Sequence, residues 1–228
     1  MPILTVTDAN GNDRDNVVIV PISPNGKWIN AIHGGYGSPD QMRVTTQLEV
    51  LFPNHHILLS KGDAILPDGN GGFALGWRLK DQEKIDNRYL ADTLEQFLKQ
   101  YGLLYKDGGV LGVSNGDMAG RRLLSHIDEM NVGWFVGVSG TYNSPETFDY
   151  KGRALLINHK FDKVVPMNGS AAYTSVIDAN NIVEDSVEEF EMVSLSKLVA
   201  DPDYNYHSWD EINAIYNLEQ RIVDFIGV

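Results

Sequence analysis

The chain contains no cysteine. A disulfide framework, a cysteine-ligated zinc or iron–sulfur site and a cysteine nucleophile are therefore excluded together. Basic residues are scarce as well. Eighteen Lys and Arg face 31 Asp and Glu, for a formal net charge of −13 over 228 residues. Such a chain repels phosphate, so neither nucleic acid nor an anionic membrane surface is an expected partner. No apolar run is long enough to cross a bilayer. The N-terminal Met1-Pro2-Ile3-Leu4-Thr5-Val6 lacks the basic start and continuous apolar stretch of a secretory leader. The expectation is a cytoplasmic protein whose chemistry falls to Ser, His, Asp, Glu, Lys or Tyr.

What is present is a composition that builds a core. Hydrophobic residues make up 43% of the chain and charged residues 21%. At about 150 residues per domain this length fits one sizeable domain, residues 1–228, better than two. The acidity is uneven: residues 1–114 carry a net −3 and residues 115–228 a net −10. Between Asp178 and Glu211 ten acidic residues accompany one basic residue, Lys197. That segment reads as a solvated face, or as one that keeps anionic substrates from a nearby site.

Ile3–Thr7 and Val17–Ile22 flank a polar stretch, Asp8–Asn16, and read as an N-terminal antiparallel hairpin. Asp8, Asn10 and Asn12 alternate as in a calcium loop. Asp13 stands where such a loop needs Gly and Ile19 where it needs Glu, so a polar turn is expected instead. Trp28–His33 reads as a strand entering Gly34-Gly35-Tyr36-Gly37. Ser38, Pro39 and Gln41 then signal a helix start with a capping box, continued by Met42, Thr45, Leu48 and Phe52. His56–Ser60 is a further strand, and the Gly-, Asp- and Pro-rich residues 61–81 a long loop. Inside it Gly69-x-Gly71-x-x-Ala74 imitates a dinucleotide fingerprint but lacks the strand before and the helix after. Helices are expected over Ile85–Tyr101, Asn115–Met130, Met167–Asn180 and Trp209–Ile226. Strands are expected over Val110–Val113, Trp134–Val138, Ala154–Asn158 and Val187–Leu195. This alternation predicts an α/β fold with a mostly parallel sheet and helices on both faces.

Gly112-Val113-Ser114-Asn115-Gly116 lies between a predicted strand and a predicted helix. A G-x-S-x-G turn there is tight enough to strain its serine and to expose the hydroxyl at the sheet's edge. It also aims the helix N-terminus and the Asn115 N–H at a developing oxyanion. His33-Gly34-Gly35 ends an earlier strand and offers a second N–H, from Gly35 or alternatively Tyr36. His33 itself reads as a structural residue that holds this loop by a hydrogen bond.

A serine nucleophile needs a base, and the base an orienting acid. Three histidines follow Ser114. His126 lies about three turns into the following helix, too far away. His159 ends a strand and stays near the site. His207 projects from the junction of a polar loop with the last helix, which Ser208 and Glu211 start with a capping box, and is the best base. Asp162 follows the strand Ala154–Asn158 and is the best acid. Asp185, Asp201 and Asp203 have no strand end beneath them.

His33-Gly34, Gly112-Val113-Ser114-Asn115-Gly116-Asp117-Met118 and Asp162-Lys163-Val164-Val165-Pro166 stand in the order and spacing of the α/β-hydrolases. The Ser-Asn-Gly-x-Met form more narrowly resembles the polyhydroxybutyrate depolymerase and feruloyl esterase group. Trp77 and Ile85–Leu90 look like that group's tryptophan loop and acidic helix start. The resemblance covers roughly residues 28–170, with His207 beyond it. Two positions depart: Asp117 replaces a usual glycine, and Lys160 replaces a glycine in the acid loop. A carboxylate at 117 suits the helix dipole but would repel an oxyanion if it faced the pocket.

The resemblance implies an α/β-hydrolase fold, and 228 residues are too few for that core plus a large lid. The resemblance also implies a Ser114–Asp162–His207 triad that hydrolyses a small or oligomeric ester through an acyl-enzyme. The acidic segment ending at His207 favours neutral or cationic esters over strongly anionic ones, a neutral one first. No cofactor and no metal are needed. Tyr36 and Trp77 are candidates to line the substrate site or, equally, to pack in the core. A peptidase, thioesterase or carbohydrate deacetylase on the same scaffold, and a non-catalytic binding protein that keeps the fold, remain the alternatives.

Overall fold

The computed structural model describes residues 1–8, 10–67, 73–77, 88–126, 132–140, 152–159, 162, 189–193 and 207–227. In chain order its strands are β1 (Ile3–Thr7), β2 (Asp13–Ile19), β3 (Trp28–Ile32), β4 (His56–Ser60), β5 (Ala64–Pro67), β6 (Phe73–Gly76), β7 (Gly108–Val113), β8 (Trp134–Val138), β9 (Arg153–His159) and β10 (Glu189–Val193). Its helices are α1 (Pro39–Thr46), α2 (Leu48–Leu51), α3 (Arg88–Tyr101), α4 (Asn115–His126), α5 (Trp209–Tyr216) and α6 (Leu218–Ile226).

β3, β4 and β8 are buried along their whole length, the signature of strands covered on both faces. They lie inside an eight-stranded sheet of order β1-β2-β4-β3-β7-β8-β9-β10. From β4 through β10 every pairing is parallel, while β1–β2 and β2–β4 are antiparallel. The expected parallel sheet with an N-terminal antiparallel hairpin is what forms. Alternate residues of each strand feed two separate cores. Trp28, Ile32, Val110 and Phe135 meet Leu94 and Phe97 of α3 and Leu123 of α4. Ile29, Ala31, Val136 and Ile157 meet Met42, Phe52, Trp209 and Ile222 on the other face. Because these strands share one direction, the C-terminal ends of β3, β7, β8 and β9 all open on one edge.

Several boundaries differ from the sequence expectation, each for a local reason. β2 begins at Asp13, inside the stretch read as a polar turn. Its polar residues pair on the outer face, with Thr5 Oγ1 donating to Asp15 at 2.7 Å and Thr7 Oγ1 to Asp13 at 2.8 Å. The turn itself closes on Asp8, whose Oδ1 accepts the N–H groups of Asn10 and Asn12. Residues 61–81 are not all loop. β5 and β6 form a two-stranded antiparallel hairpin, hidden from sequence reading by Pro67 and the surrounding glycines. Ser38 caps α1 through the Gln41 N–H, without the reciprocal half of a capping box. The helices expected to run on from α1 and through Trp209–Ile226 are each broken by one left-handed residue, Gln47 (φ 47°) and Asn217 (φ 51°). The helix expected over Met167–Asn180, the fingerprint-like Gly69–Ala74 stretch up to residue 72, and Asp185, Asp201 and Asp203 lie outside the described residues.

No described helix is long and apolar enough to cross a membrane. The Asn217 break separates α5, which carries the site junction, from α6, which seals the core. Asn217 donates its N–H to Asn213 O at 2.9 Å, and Asn213 Oδ1 accepts the Glu219 N–H at 3.0 Å. Left-handed backbone costs a Cβ-bearing, non-Asn residue roughly 1–2 kcal/mol. Asn217→Gly is expected to leave thermal stability unchanged or slightly raised. Asn217→Val is expected to lower Tm by roughly 2–8 °C in a calorimetric scan.

Candidate active site

The turn after β7 is set by its glycines. A Cβ on Gly112 would lie 2.5 Å from Asp117 Cα and Gly116 O. A Cβ on Gly116 would run into the carbonyls of Ile32 and His33. Both positions must lack a side chain for α4 to start directly against β3 and β7. Ser114 between them adopts φ 55°. Its backbone is pinned from both sides. The Ser114 N–H donates to Val138 O at 2.7 Å, and Ser114 O accepts the Asp117 N–H at 3.0 Å.

Ser114 and His207 come together across 93 residues. Ser114 Oγ lies 2.8 Å from His207 Nε2, and His207 Nδ1 lies 2.6 Å from Asp162 Oδ2. A carboxylate accepts, so Nδ1 carries the proton and Nε2 is left to accept from the serine hydroxyl. That tautomer is the one a general base requires. Asp162 is 4% exposed, directly past β9. The capping box of Ser208 and Glu211 forms in full. Glu211 also accepts the His207 N–H at 3.1 Å, so one carboxylate clamps both the helix start and the His207 backbone. His126 ends α4 and His159 ends β9.

The second loop wraps the serine closely. A Cβ on Gly34 would lie 3.3 Å from Ser114 Cβ and 3.8 Å from its Oγ. Gly34–Gly37 is a turn closed by the Gly37 N–H on Gly34 O at 3.2 Å, with Tyr36 held at φ 63°. His33 is buried and bridges two loops. Its Nδ1–H donates to Gly34 O at 2.7 Å and its Nε2 accepts the Gly62 N–H at 3.0 Å. Burial pulls its pKa down to about 4, against a weaker upward pull from the Gly34 carbonyl. The Gly62 N–H occupies the lone pair that a second proton would need.

Trp77 packs in the core, 3% exposed, and not in the cavity. Its indole N–H donates to His33 O at 2.6 Å and its backbone N–H to Asn115 Oδ1 at 2.8 Å. It therefore ties the His33 loop to the start of α4 from behind. Tyr36 is 58% exposed and does line the cavity. That cavity, about 340 Å³, also takes in Gly35, Met42, Ser114 and His207.

Asp117 faces away from Ser114. It is fully buried in a bidentate pair with Arg121, at 2.9 Å for both bonds. Gly137 and Gly140 make the space, since a Cβ on either would collide with the Asp117 carboxylate. Burial pushes the Asp117 carboxyl up, and the Arg121 guanidinium opposes that. Sequence reasoning missed Arg121. Its signal was the i,i+4 spacing on a helix whose first turn is otherwise apolar or small.

Neither a protein-family model nor a curated protein matches the chain in sequence. In structure it is similar to a Staphylococcus aureus protein of unknown function, with a TM-score of 0.65 and 12% identity over 99% of this chain and 98% of that one. A Bacillus cereus carboxylesterase matches at TM-score 0.59 and 13% identity, over 90% and 93% of the two chains. Acyl-protein thioesterase 2 of Zea mays matches at 0.57 and 17%, over 93% and 99%. The fold is that of the α/β-hydrolases.

The buried groups carry two expected outcomes. Asp117→Ala removes the bidentate carboxylate from a fully buried Arg121. It is expected to cost about 3–5 kcal/mol and to lower Tm by roughly 10 °C or more, with Arg121→Met added beside it recovering much of the loss. His33 is the second case. With its folded pKa near 4 and the unfolded value near 6.5, the unfolded chain binds more protons between those limits. Its contribution is complete above pH 6.5 and drains away as pH falls toward 4, by up to about 1.4 kcal/mol per pH unit. Urea unfolding of wild type and His33→Gln across that window reads it as a difference in slope.

Proposed function

We propose that the chain is a serine hydrolase that cleaves carboxylic esters. The observation that carries this reading is the His207 imidazole, bridging Ser114 Oγ at 2.8 Å and Asp162 Oδ2 at 2.6 Å. Two contacts at hydrogen-bond length on one ring, in the tautomer a base needs, are what a fold that had lost its chemistry would no longer require.

In the proposed reaction His207 Nε2 takes the Ser114 proton as Oγ attacks the ester carbonyl. The N–H groups of Asn115 and Gly35 stabilise the oxyanion, Asn115 from the start of α4 and Gly35 from the turn that folds over Ser114. His207 returns the proton to the leaving alkoxide. Water, deprotonated by the same imidazole, then hydrolyses the acyl-enzyme. Asp162 holds the ring in its tautomer and stabilises the imidazolium. Asp117, paired with Arg121, adds no exposed charge to the pocket. The chain acts as one domain, without cofactor or metal. A cavity of about 340 Å³ suits a small ester or one end of an oligomeric one. The narrower affinity, to polyhydroxybutyrate depolymerases and feruloyl esterases, rests on Ser114-Asn115-Gly116-Asp117-Met118. Trp77 serves it as a brace between loops and not as a substrate contact.

A fluorophosphonate probe is expected to label Ser114, located by mass spectrometry. Turnover of a short-chain nitrophenyl ester is expected to fall by about 10³-fold or more in Ser114→Ala and in His207→Ala, and by roughly 10²–10⁴-fold in Asp162→Asn. An adduct elsewhere, or unchanged turnover in Ser114→Ala, overturns the mechanism. A panel of thioester, peptide and acetylated-sugar substrates places the enzyme among acyl hydrolases.

A further inference from the structure

The walls of the Ser114 cavity are uneven in a way that catalysis does not require. Its inner residues, among them Met42, Thr46 and Trp209, are buried and uncharged. Its exposed residues are Tyr36, Gln41, Ser208 and Asp210, so these form the mouth. Among the described residues no lysine or arginine lines it. Ser208 is engaged in the cap of α5.

Asp210 is an exposed carboxylate in the first turn of α5, three residues from the catalytic imidazole. Among the described residues it makes no ion pair. Tyr36 stands 58% exposed on a left-handed backbone, φ 63°, a conformation that disfavours a bulky side chain. Core packing does not account for a tyrosine this exposed at the mouth of the cavity. A carboxylate and an open aromatic face on one mouth are the two groups that recognise an alkylammonium, by charge and by the ring's negative face. The chain's net charge of −13 adds a field of the same sign.

We propose that the cavity mouth selects esters bearing a cationic alkylammonium on the part of the substrate that does not react, with Asp210 as counter-charge and Tyr36 as the π face. This rests on the esterase reading, since Ser114 and His207 must act on whatever is bound.

The test uses two thioesters of one shape, acetylthiocholine and S-neohexyl thioacetate, in which a quaternary nitrogen replaces a quaternary carbon. In wild type kcat/KM is expected to favour the cationic ester by about tenfold at low ionic strength, and by less as salt is added. Asp210→Asn is expected to cut that ratio about fivefold and Tyr36→Leu about threefold. Asp224→Asn, an exposed carboxylate on α6, leaves the ratio where it was. A wild-type ratio at or below one, or a ratio indifferent to Asp210→Asn, overturns the proposal. If neither thioester is turned over, the esterase reading is decided separately by the nitrophenyl ester. Tetramethylammonium then reads the cation site directly by NMR titration. Its binding to wild type and loss in Asp210→Asn support the proposal, and no binding to wild type overturns it.

Discussion

Ser114 at φ 55° is the constraint on which the rest of the molecule depends. A serine gains nothing by itself from left-handed backbone, and strain of this kind costs of order 1–3 kcal/mol. It persists because its surroundings leave no other path. Gly112 and Gly116 bring α4 onto β3 and β7 so closely that the chain must reverse within two residues. Val138 O, on the neighbouring strand, then takes the Ser114 N–H. The hydroxyl is left at the edge where β3, β8 and β9 also end. Parallel strands make that convergence automatic. The His33 loop, the Ser114 turn and the Asp162 loop come from different parts of the chain but share one edge.

The same closeness explains Asp117. Chain reversal places the third residue after the serine underneath the turn, against β8. A carboxylate there loses its water and needs a cation that is equally dry. Arg121, one helical turn on, supplies it in fork geometry, and Gly137 and Gly140 supply the volume. A buried pair of this kind is weak evidence for extra stability, because desolvation offsets much of the attraction. Its consequence is directional. The acidic side chain nearest Ser114 in sequence has its charge held on the far side of the helix start.

Sequence patterns carried the architecture well where they rested on long apolar runs or on chemistry with strict spacing. The strand order's parallel character, the Ser114 turn, the His207 junction and the structural role of His33 were legible because each depends on local residue types. Breaks at Gln47 and Asn217 were not, since helical periodicity continues across both positions and one left-handed residue changes direction without changing pattern. The β5–β6 hairpin was hidden by glycines and Pro67, which ordinarily mark loops. Trp77 could be read as substrate contact or as core, because an indole suits both. Only its two hydrogen bonds, to His33 O and to Asn115, decide for the core. Pairing of Asp117 with Arg121 was readable as an i,i+4 match. Its burial was not, because burial comes from β8, about twenty residues away.

Net charge alone is a poor guide to what an acidic protein binds, because the carboxylates beside the site are already answered. Asp162 faces His207, Asp117 faces Arg121, and Glu211 accepts the N–H groups of His207 and Ser208. Each is tied to a donor, and its field at the cavity is correspondingly reduced. A residue answered by nothing but solvent is different, since its charge becomes available to whatever displaces the water. Around Ser114 the described residues leave Asp210 in that position. On the proposed reading, the −13 of the chain acts on substrates less through its size than through where one carboxylate has been left open. That distinction separates a protein that merely repels anions from one with a place for a cation.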